Sequence, residues 1–290
     1  MPLSNALSVD VEDYFQTEAM SAVAPRNGWC AFPSRVEANT RALFELFAKY
    51  NAHATFFFVG WTAERYPQLV REAHEIGHEV ACHSYWHRPV FRLGPVEFRE
   101  DTWRAKQVIE DAAGCAVAGY RAPCFSINSA VAWAYDILRE LGFQYDSSLN
   151  PVHHPFYGNH AGNRAPHRIA AGLYELPIAT WRVLGQNLPV GGGAYLRILP
   201  GWLVSSGVGS INAKESRPAI LYLHPWEIDE EQPRLQASVV SRARQYIGLS
   251  QMKRKLEGLL QQFKFGTVYE TVYLPLVSQN TTAYSASLKQ

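Results

Sequence analysis

The hydrophobic positions of the chain fall into short, strand-like runs that alternate with longer segments of helical period. The runs are rich in β-branched and aromatic residues and cover residues 6–11, 54–59, 79–82, 117–120, 143–145, 173–178 and 219–223. Alternation of this kind predicts parallel strands that are joined by helices. We therefore expect an α/β fold built on a mainly parallel sheet.

The segments between these runs carry helix start and stop signals. Ser34 and Glu37 form a capping box, and the apolar residues behind them predict a helix to about Tyr50. A basic, glutamine-rich segment at 234–263 predicts a pair of amphipathic helices. Three further helices are expected, each followed by a glycine that would end it: residues 69–76, 95–113 and 131–141.

Two stretches do not follow this alternation of strand-like and helical segments. Residues 147–172 hold proline, glycine, asparagine and four histidines without clear periodicity, which predicts a long loop of the kind that is often functional. The triplet at 191–193 is all glycine and predicts a tight backbone feature. It does not complete a phosphate-binding motif, because no Gly-Lys-Ser/Thr follows it.

Composition narrows the class of protein. A chain of 290 residues with 47% hydrophobic residues can bury the core of one large domain. Its formal net charge of +1 does not indicate binding to nucleic acid. An uncharged or weakly charged substrate fits this charge better than a polyanion does. The 8 Trp and 15 Tyr suit sugar faces as well as core packing.

The cysteines and the first residues suggest a compartment. Four widely spaced cysteines form no Cys-x-x-Cys pair, which argues against a zinc knuckle or a dense disulfide framework. The chain shows neither a signal peptide pattern nor an apolar run long enough to span a membrane. We expect a reduced protein in the cytoplasm.

The sharpest chemical signal follows the third predicted strand. His83 and His87 stand four residues apart in the segment H-S-Y-W-H. This spacing lets two imidazoles reach one ion from a single turn or tight loop, and neutral imidazole suits zinc and its first-row neighbours. A pair of surface histidines is the alternative.

Three carboxylates follow the first predicted strand: Asp10, Glu12 and Asp13. Carboxylates this close repel one another, so they either raise a pKa or collect a cation. Asp10 and Glu12 share one face of a continuing strand, whereas Asp13 joins them only if the chain turns. A solvated acidic loop is the alternative, and the flanking apolar residues count against it.

Arg121 and His224 also end predicted strands. An arginine there can hold a carboxylate and keep it ionised, as a general base requires, and a histidine can act as a general acid near neutral pH. Asp10, His83 and Asp146 occupy the same position on their own strands. Active sites assemble at this rim in barrels of parallel strands, which favours one catalytic site over separate structural roles.

In this order the motifs resemble those of the NodB-type polysaccharide deacetylases, which are carbohydrate esterases with a distorted (β/α) barrel of about seven parallel strands. The resemblance covers nearly the whole chain, and residues 54–60 (A-T-F-F-F-V-G) are similar to a strand motif of the family. The resemblance implies these roles: catalytic base, Asp10; metal ligands, His83 and His87; orientation of the base, Arg121; catalytic acid, His224.

The first motif departs from the T-F-D-D-G of the family, because Val11 stands where the second aspartate, normally a metal ligand, is found. By strand parity we expect Glu12 as the third ligand, similar to a D-x-D subgroup, with Asp13 as the alternative. Asp146 is the nearest candidate for the aspartate of the fourth motif. The remaining supporting or substrate-binding candidates are Cys124, by its backbone N–H, Trp181 and Trp226.

The stretch 190–200, the residues after His224 and the basic tail resemble the subgroup found with bacterial exopolysaccharide and exosortase gene clusters. We expect one catalytic domain, 1–290. In it about 1–185 plus 219–230 would form the barrel, and about 186–218 and 231–290 a helical C-terminal extension. The resemblance also implies an exopolysaccharide intermediate as substrate and association with exopolysaccharide biosynthesis machinery.

The expected function is hydrolysis of N-acetyl groups from an amino-sugar-containing polysaccharide or its biosynthetic intermediate, with release of acetate. It would require one divalent metal ion, with zinc as the expected metal. Two alternatives stay open. One is a metal-poor amide hydrolase related to allantoinase-like members of the family, and the other is a non-catalytic sugar-binding protein.

Overall fold

The computed structural model of the chain describes residues 3–152, 159 and 162–279. Its strands are β1 (Asn5–Val11), β2 (Thr55–Phe58), β3 (Glu79–Cys82), β4 (Gly119–Tyr120), β5 (Tyr145–Asp146), β6 (His167–Ala170), β7 (Leu173–Glu175), β8 (Thr180–Val183), β9 (Gln186–Pro189), β10 (Ile220–Leu223) and β11 (Phe265–Gly266). Its α-helices are α1 (Val36–Lys49), α2 (Gly60–Arg65), α3 (Pro67–Glu75), α4 (Pro95–Ala113), α5 (Trp133–Glu140), α6 (Ala194–Ile198), α7 (Gly201–Lys214), α8 (Val239–Tyr246) and α9 (Leu249–Gln262).

A curled sheet forms the centre of the fold, with neighbouring strands in the order β10, β1, β2, β3, β4, β5, β7 and β6. The first seven of these strands pair in parallel, β6 is antiparallel to β7 at the edge, and the short β11 adds to β1. The expected distorted barrel of about seven parallel strands is therefore confirmed. Its carboxyl-end rim gathers the residues that follow β1, β3, β4 and β10.

Side chains alternate between the two faces of the sheet, as the period of two along a strand requires. In β1, Leu7, Val9 and Val11 join the large core between the sheet and the helices. Ala6 points to the opposite face, into a smaller core inside the curl with Phe57 of β2. Asp10 therefore lies on the inner face of the sheet, in the same parity as Ala6.

The helices expected from the sequence are present, whereas α2, α6 and α7 were not predicted. The first helix starts at Val36 with no side-chain cap from its own N-terminus. The capping box expected at Ser34 is wrong, because the Ser34 hydroxyl donates instead to Asp13 Oδ2, at 2.6 Å. The basic segment forms the expected pair of helices, α8 and α9.

The long loop expected at 147–172 is only partly correct. Residues 167–170 form β6, which pairs with β7. Residues 153–158 and 160–161 of this predicted loop lie outside the described residues. The β8–β9 hairpin that follows shows no clear alternation of apolar and polar residues, so the pattern did not predict it.

The glycine triplet forms the tight feature expected of it. The Gly192 φ angle is 136°, and a Cβ atom there would lie 1.8 Å from the Tyr222 carbonyl oxygen. Backbone hydrogen bonds from Tyr222 N to Gly191 O (2.7 Å) and from Gly193 N to Tyr222 O (3.1 Å) fix this approach. The start of α6 is thereby held against β10. No described helix is long and apolar enough to span a bilayer.

Candidate functional site

A cavity of about 400 Å³ opens at the carboxyl ends of the strands. Its floor carries Asp10 and Glu12 from the end of β1, His83 and His87 from the segment after β3, and His224 from the end of β10. Parallel strands bring these ends to one rim, although the residues are far apart in the chain. The shared rim predicted from the sequence is therefore where these five side chains meet.

Glu12, His83 and His87 form a buried group whose ligand atoms all lie within 4.8 Å of one another. Glu12 Oε2 lies 2.7 Å from His87 Nε2, yet no described residue satisfies this buried oxygen with a hydrogen bond of good geometry. An unsatisfied carboxylate oxygen beside two imidazoles is costly unless a cation completes the group. A donor set of two imidazoles and one carboxylate suits zinc and leaves room for a further ligand.

The environment of His83 favours a neutral metal-binding imidazole. Its Nδ1 lies 2.8 Å from the Arg121 carbonyl oxygen, which can only accept, so Nδ1 carries the proton and Nε2 is left free. Burial, together with the nearby His87, holds the pKa of His83 well below its usual value. Both effects leave His83 uncharged with Nε2 free to bind a metal ion.

The segment 83–87, called here the histidine loop, is shaped by a residue that sequence reasoning missed. Asp101 of α4 is buried, and its carboxylate accepts hydrogen bonds from the backbone N–H groups of Tyr85 (2.7 Å) and Trp86 (3.2 Å). His87 has a positive φ of 50°, a strained conformation for a non-glycine residue. The sequence signal that could have identified Asp101 is an acidic residue on the buried face of α4, one turn after Phe98.

Asp13, the alternative third ligand, points away from the cavity and caps α1. Its Oδ2 accepts from Ser34 Oγ and from the backbone N–H groups of Arg35 (2.9 Å) and Val36 (3.2 Å), while Oδ1 accepts from Tyr14 N (2.9 Å). A carboxylate that is engaged on both oxygens at a helix N-terminus is well placed to stabilise the helix. Strand parity thus brings Glu12, and not Asp13, to the two histidines.

Asp10 and Arg121 form a buried ion pair, with Nη1 2.6 Å from Oδ1. Three further hydrogen bonds fix the guanidinium: to Ser8 Oγ (2.8 Å), to Ser147 O (3.1 Å) and to Ser147 Oγ (2.9 Å). Its carbon lies 4.2 Å from the centre of the Phe57 ring. Arg121 is fully buried, so Asp10 is held in one orientation with Oδ2 left toward the cavity.

His224 faces the carboxylates from the opposite side of the cavity. Its Nε2 lies 3.6 Å from Glu12 Oε1 and 4.0 Å from Asp10 Oδ2. Its Nδ1 is paired with Glu227 Oε2 at 3.1 Å. Burial alone would lower the pKa of His224, but the charge of Glu227, with those of Glu12 and Asp10, raises it to about 9.

Glu227 and Arg197 support His224 from behind, and neither was among the predicted site residues. Arg197 Nε lies 2.7 Å from Glu227 Oε1, and both side chains are buried. Burial would raise the pKa of Glu227, but the charges of His224 and Arg197 lower it to about 2. Glu227 follows His224 by three residues in a single 3₁₀ turn, a spacing that the sequence showed.

The remaining predicted residues differ in their distance from the cavity. Trp226 lines it, donates from Nε1 to Glu12 Oε1 at 3.1 Å, and stacks on the His224 ring at 5.1 Å between centroids. Cys124 also lines the cavity, with a positive φ of 57°.

Asp146 and Trp181 lie outside the cavity lining. Asp146 is fully buried behind the rim and accepts a hydrogen bond from Ser148 Oγ, which itself accepts one from Ala122 N at 2.8 Å. Trp181 was expected to line the site, and this is wrong. It lies opposite Leu188 in the β8–β9 hairpin and packs on the large core instead.

One wall of the cavity comes from the C-terminal part of the chain. Tyr195 of α6 and Ser241, Arg244 and Gln245 of α8 line it. Gln245 is buried and ties α8 to the N-terminal region, because its amide donates to Tyr14 O (3.1 Å) and its oxygen accepts from Thr17 Oγ1 (3.0 Å). The mouth of the cavity is therefore shaped by residues outside the barrel rim.

The curled parallel sheet, with carboxylates and histidines at its carboxyl rim, matches the fold of the CE4 carbohydrate esterases. Residues 27–145 match the polysaccharide deacetylase family, and residues 147–273 match a family described as a domain of unknown function. Residues 27–145 therefore resemble the polysaccharide deacetylases, a family of hydrolases that act on amide bonds.

Two curated relatives illustrate the match. The chain is 29% identical over 120 residues to a peptidoglycan deacetylase of Helicobacter pylori, covering 41% of this chain and 39% of that protein. It is 31% identical over 91 residues to the peptidoglycan-N-acetylmuramic acid deacetylase PdaC of Bacillus subtilis, covering 31% of this chain and 20% of that protein. The chain therefore matches less than half the length of either relative.

Solved structures agree on the fold. A crystal structure described as a polysaccharide deacetylase from Mycobacterium smegmatis has a TM-score of 0.58 at 17% identity and covers 98% of this chain and 93% of its own. A CE4 family pseudoenzyme from Bacillus anthracis has a TM-score of 0.50 at 14% identity, covering 93% and 66%. Because this fold also occurs in a pseudoenzyme, activity must be argued from the site.

Proposed function

We propose that this protein is a metal-dependent N-deacetylase of amino-sugar-containing saccharides. The observation that carries the proposal is the buried group of Glu12, His83 and His87, with an ion-paired Asp10 on one side and His224 on the other. A metal-ligand group flanked by a carboxylate and a histidine fits amide hydrolysis, which needs an activated water, a polarised carbonyl and a proton for the leaving amine.

A divalent ion held by Glu12, His83 and His87 would supply a Lewis acid that polarises the acetyl carbonyl and makes a bound water more acidic. Asp10 takes the proton of the attacking water through Oδ2, since Oδ1 is engaged by Arg121. His224 donates its Nε2 proton to the departing amine, while Glu227 holds Nδ1 in the donor state. Asp10 and His224 thus act as separate base and acid.

The cavity is built to receive a sugar. Trp226 and Tyr195 present aromatic rings in its lining, which suit the apolar faces of pyranose rings. The relatives named above act on peptidoglycan, but the saccharide of this chain is a separate proposal. On the resemblance of residues 190–200 and the basic tail, we propose an N-acetylated intermediate of exopolysaccharide assembly, with zinc as the metal.

A direct test measures zinc binding and acetate release on the same protein. Zinc titration by calorimetry should show one site per chain, and acetate release from N-acetylglucosamine oligomers and peptidoglycan fragments should stop after chelation and return with zinc. His87→Ala should lose both. The matched control is His78→Ala, because His78 is equally buried but packs 4.9 Å from the Phe56 ring, outside the cavity lining.

Full acetate release after rigorous chelation would instead favour the metal-poor amide hydrolase. The Asp10→Asn variant distinguishes the enzyme from the non-catalytic sugar-binding protein. If the protein is an enzyme, this variant binds oligosaccharide as before and loses turnover, since it removes the general base and leaves the cavity lining in place. Binding by the native protein without acetate release from any substrate of the panel would favour a non-catalytic role.

A further inference from the structure

The helices beside the cavity expose an unusual set of large apolar side chains. Val239 and Val240, at the start of α8, are 82% and 62% exposed, and Trp202 of α7 is 70% exposed. Ile198 and Ile247 are more than half exposed. We call the area carried by these five residues the α6–α8 surface.

Contacts below these side chains join the C-terminal end of α8 to α6. Arg197 of α6 donates from Nη2 to the carbonyl oxygen of Arg244, at 2.7 Å, and from Nη1 to that of Ile247. A Cβ atom on Gly248 would lie 2.5 Å from the Arg197 carbonyl oxygen. The turn after α8 therefore rests directly on the end of α6, and Trp202 follows four residues beyond Ile198.

Charge on this part of the chain is strongly one-sided. Residues 234–264 hold seven basic residues and one acidic residue, a net charge of +6, whereas the whole chain carries +1. Arg242, Arg244, Lys253 and Arg254 are exposed, and no salt bridge between described residues involves any of them. Arg242 and Arg244 thus lie on the same helix as Val239 and Val240, and Arg254 lines a surface pocket together with Trp202.

We propose that the α6–α8 surface docks on an anionic lipid bilayer. Short helices that combine exposed valine, isoleucine and tryptophan with unpaired arginine and lysine fit the boundary between headgroups and acyl chains. A second copy of the chain fits poorly, because a two-fold contact would place this positive segment against itself. Negative headgroups supply the complementary charge.

Docking in this way would place the cavity mouth at the membrane. Ser241 and Arg244 line the cavity from α8, the helix whose first residues, Val239 and Val240, are exposed. A saccharide carried on a lipid would then reach the cavity from the bilayer surface. The docking itself is a binding property and does not depend on the proposed deacetylation.

The test is cosedimentation of the full chain with vesicles. The expected result is at least tenfold stronger binding to phosphatidylglycerol-containing vesicles than to pure phosphatidylcholine vesicles, with a marked loss at high salt. Val239→Ser combined with Val240→Ser should weaken binding at least fivefold. Leu184→Ser, at a 98% exposed apolar residue on the β8–β9 turn, is the matched control and should bind as the native chain does.

A charge variant tests the same surface independently of the valines. Arg242→Gln should weaken binding to the anionic vesicles about fivefold at low salt, whereas Arg139→Gln on α5, also exposed, should not. Absence of binding to anionic vesicles, or equal losses in the control variants, would overturn the proposal. The proposal would also be overturned if the native protein were a dimer that did not bind vesicles and that the double valine variant dissociated. That result would assign the surface to a second copy of the chain.

Discussion

Substitution of Glu227 by glutamine perturbs the support behind the proposed catalytic acid with little change in shape. The carboxylate accepts from the backbone N–H of His224 at 3.0 Å, lies 3.1 Å from its Nδ1, and pairs with Arg197 at 2.7 Å. Glutamine keeps the size and one carbonyl oxygen but loses the charge. Arg197 then becomes a buried cation without its partner anion.

The cost to stability follows from the pKa of Glu227. A fall from 4.5 to about 2 means that the ionised form stabilises the fold by about 3 kcal/mol relative to the protonated one. Removing one partner of a buried ion pair costs roughly 3 to 5 kcal/mol in other proteins. We therefore expect Glu227→Gln to lower the free energy of unfolding by about 3 kcal/mol at neutral pH.

The sign of the pH dependence is fixed by the same shift. Since the folded pKa is depressed, the contribution is present above pH 4.5 and is lost as the pH falls toward 2. The stability difference between the native protein and the variant should therefore shrink in acid. Turnover should fall roughly a hundredfold at unchanged KM, because His224 loses the anion that keeps it protonated and oriented.

Urea unfolding across an acid series and steady-state acetate release check both expectations. Glu215→Gln is the matched control, because Glu215 pairs with Arg164 and Arg217 at 2.7 Å each and does not line the cavity. It should lose some stability and keep its turnover. A Glu227→Gln protein with native turnover, or a stability loss that stays constant into strong acid, would refute the reasoning.

Three further substitutions test other contacts. Asp13→Asn should lower the free energy of unfolding by about 1 kcal/mol, because Asp13 caps α1. Zinc binding measured by calorimetry should stay intact, and its loss would indicate that Asp13 is a ligand. Asp101→Asn should weaken zinc affinity roughly ten- to hundredfold in a chelator competition, because it releases the histidine loop, and an unchanged affinity would contradict this. Burial and the neighbouring charge of Asp146 raise the pKa of Glu175 well above its usual value, so the ionisation of this carboxyl costs stability as the pH rises. Glu175→Gln should therefore raise the melting temperature in alkali and leave it unchanged near pH 4. A shift of the melting temperature that does not depend on pH would contradict this.

The main lines of the fold and the centre of the site followed from periodicity in the sequence. Strand parity selects Glu12 over Asp13, because side chains alternate along β1 and its continuation. His83 and Arg121 could be placed on one rim because each directly follows an apolar, strand-like run. These inferences need only local pattern and the rule that parallel strands end at one edge.

What the sequence did not reveal depends on contacts between distant segments. Arg197 meets Glu227 across 30 residues, through a helix whose placement is set by the glycine triplet at 191–193. The position of Trp181 was predicted wrongly because no periodic signal in the sequence predicts the β8–β9 hairpin that carries it. Asp101 acts on backbone N–H groups, and a hydrogen bond to a backbone group leaves no partner residue type in the sequence to recognise.

The two family matches divide one cavity between them. His83, His87 and Arg121 lie in the polysaccharide deacetylase match at 27–145, whereas His224 lies in the match at 147–273, whose description gives no function. The second segment also provides Glu227 and Arg197, which hold His224, and the α8 wall of the cavity. On the proposed mechanism the acid half of the reaction therefore belongs to the second segment. Neither segment contains Asp10 or Glu12, so the proposed base and one proposed metal ligand come from β1 and the residue that follows it. Both segments need this strand in order to form the proposed site.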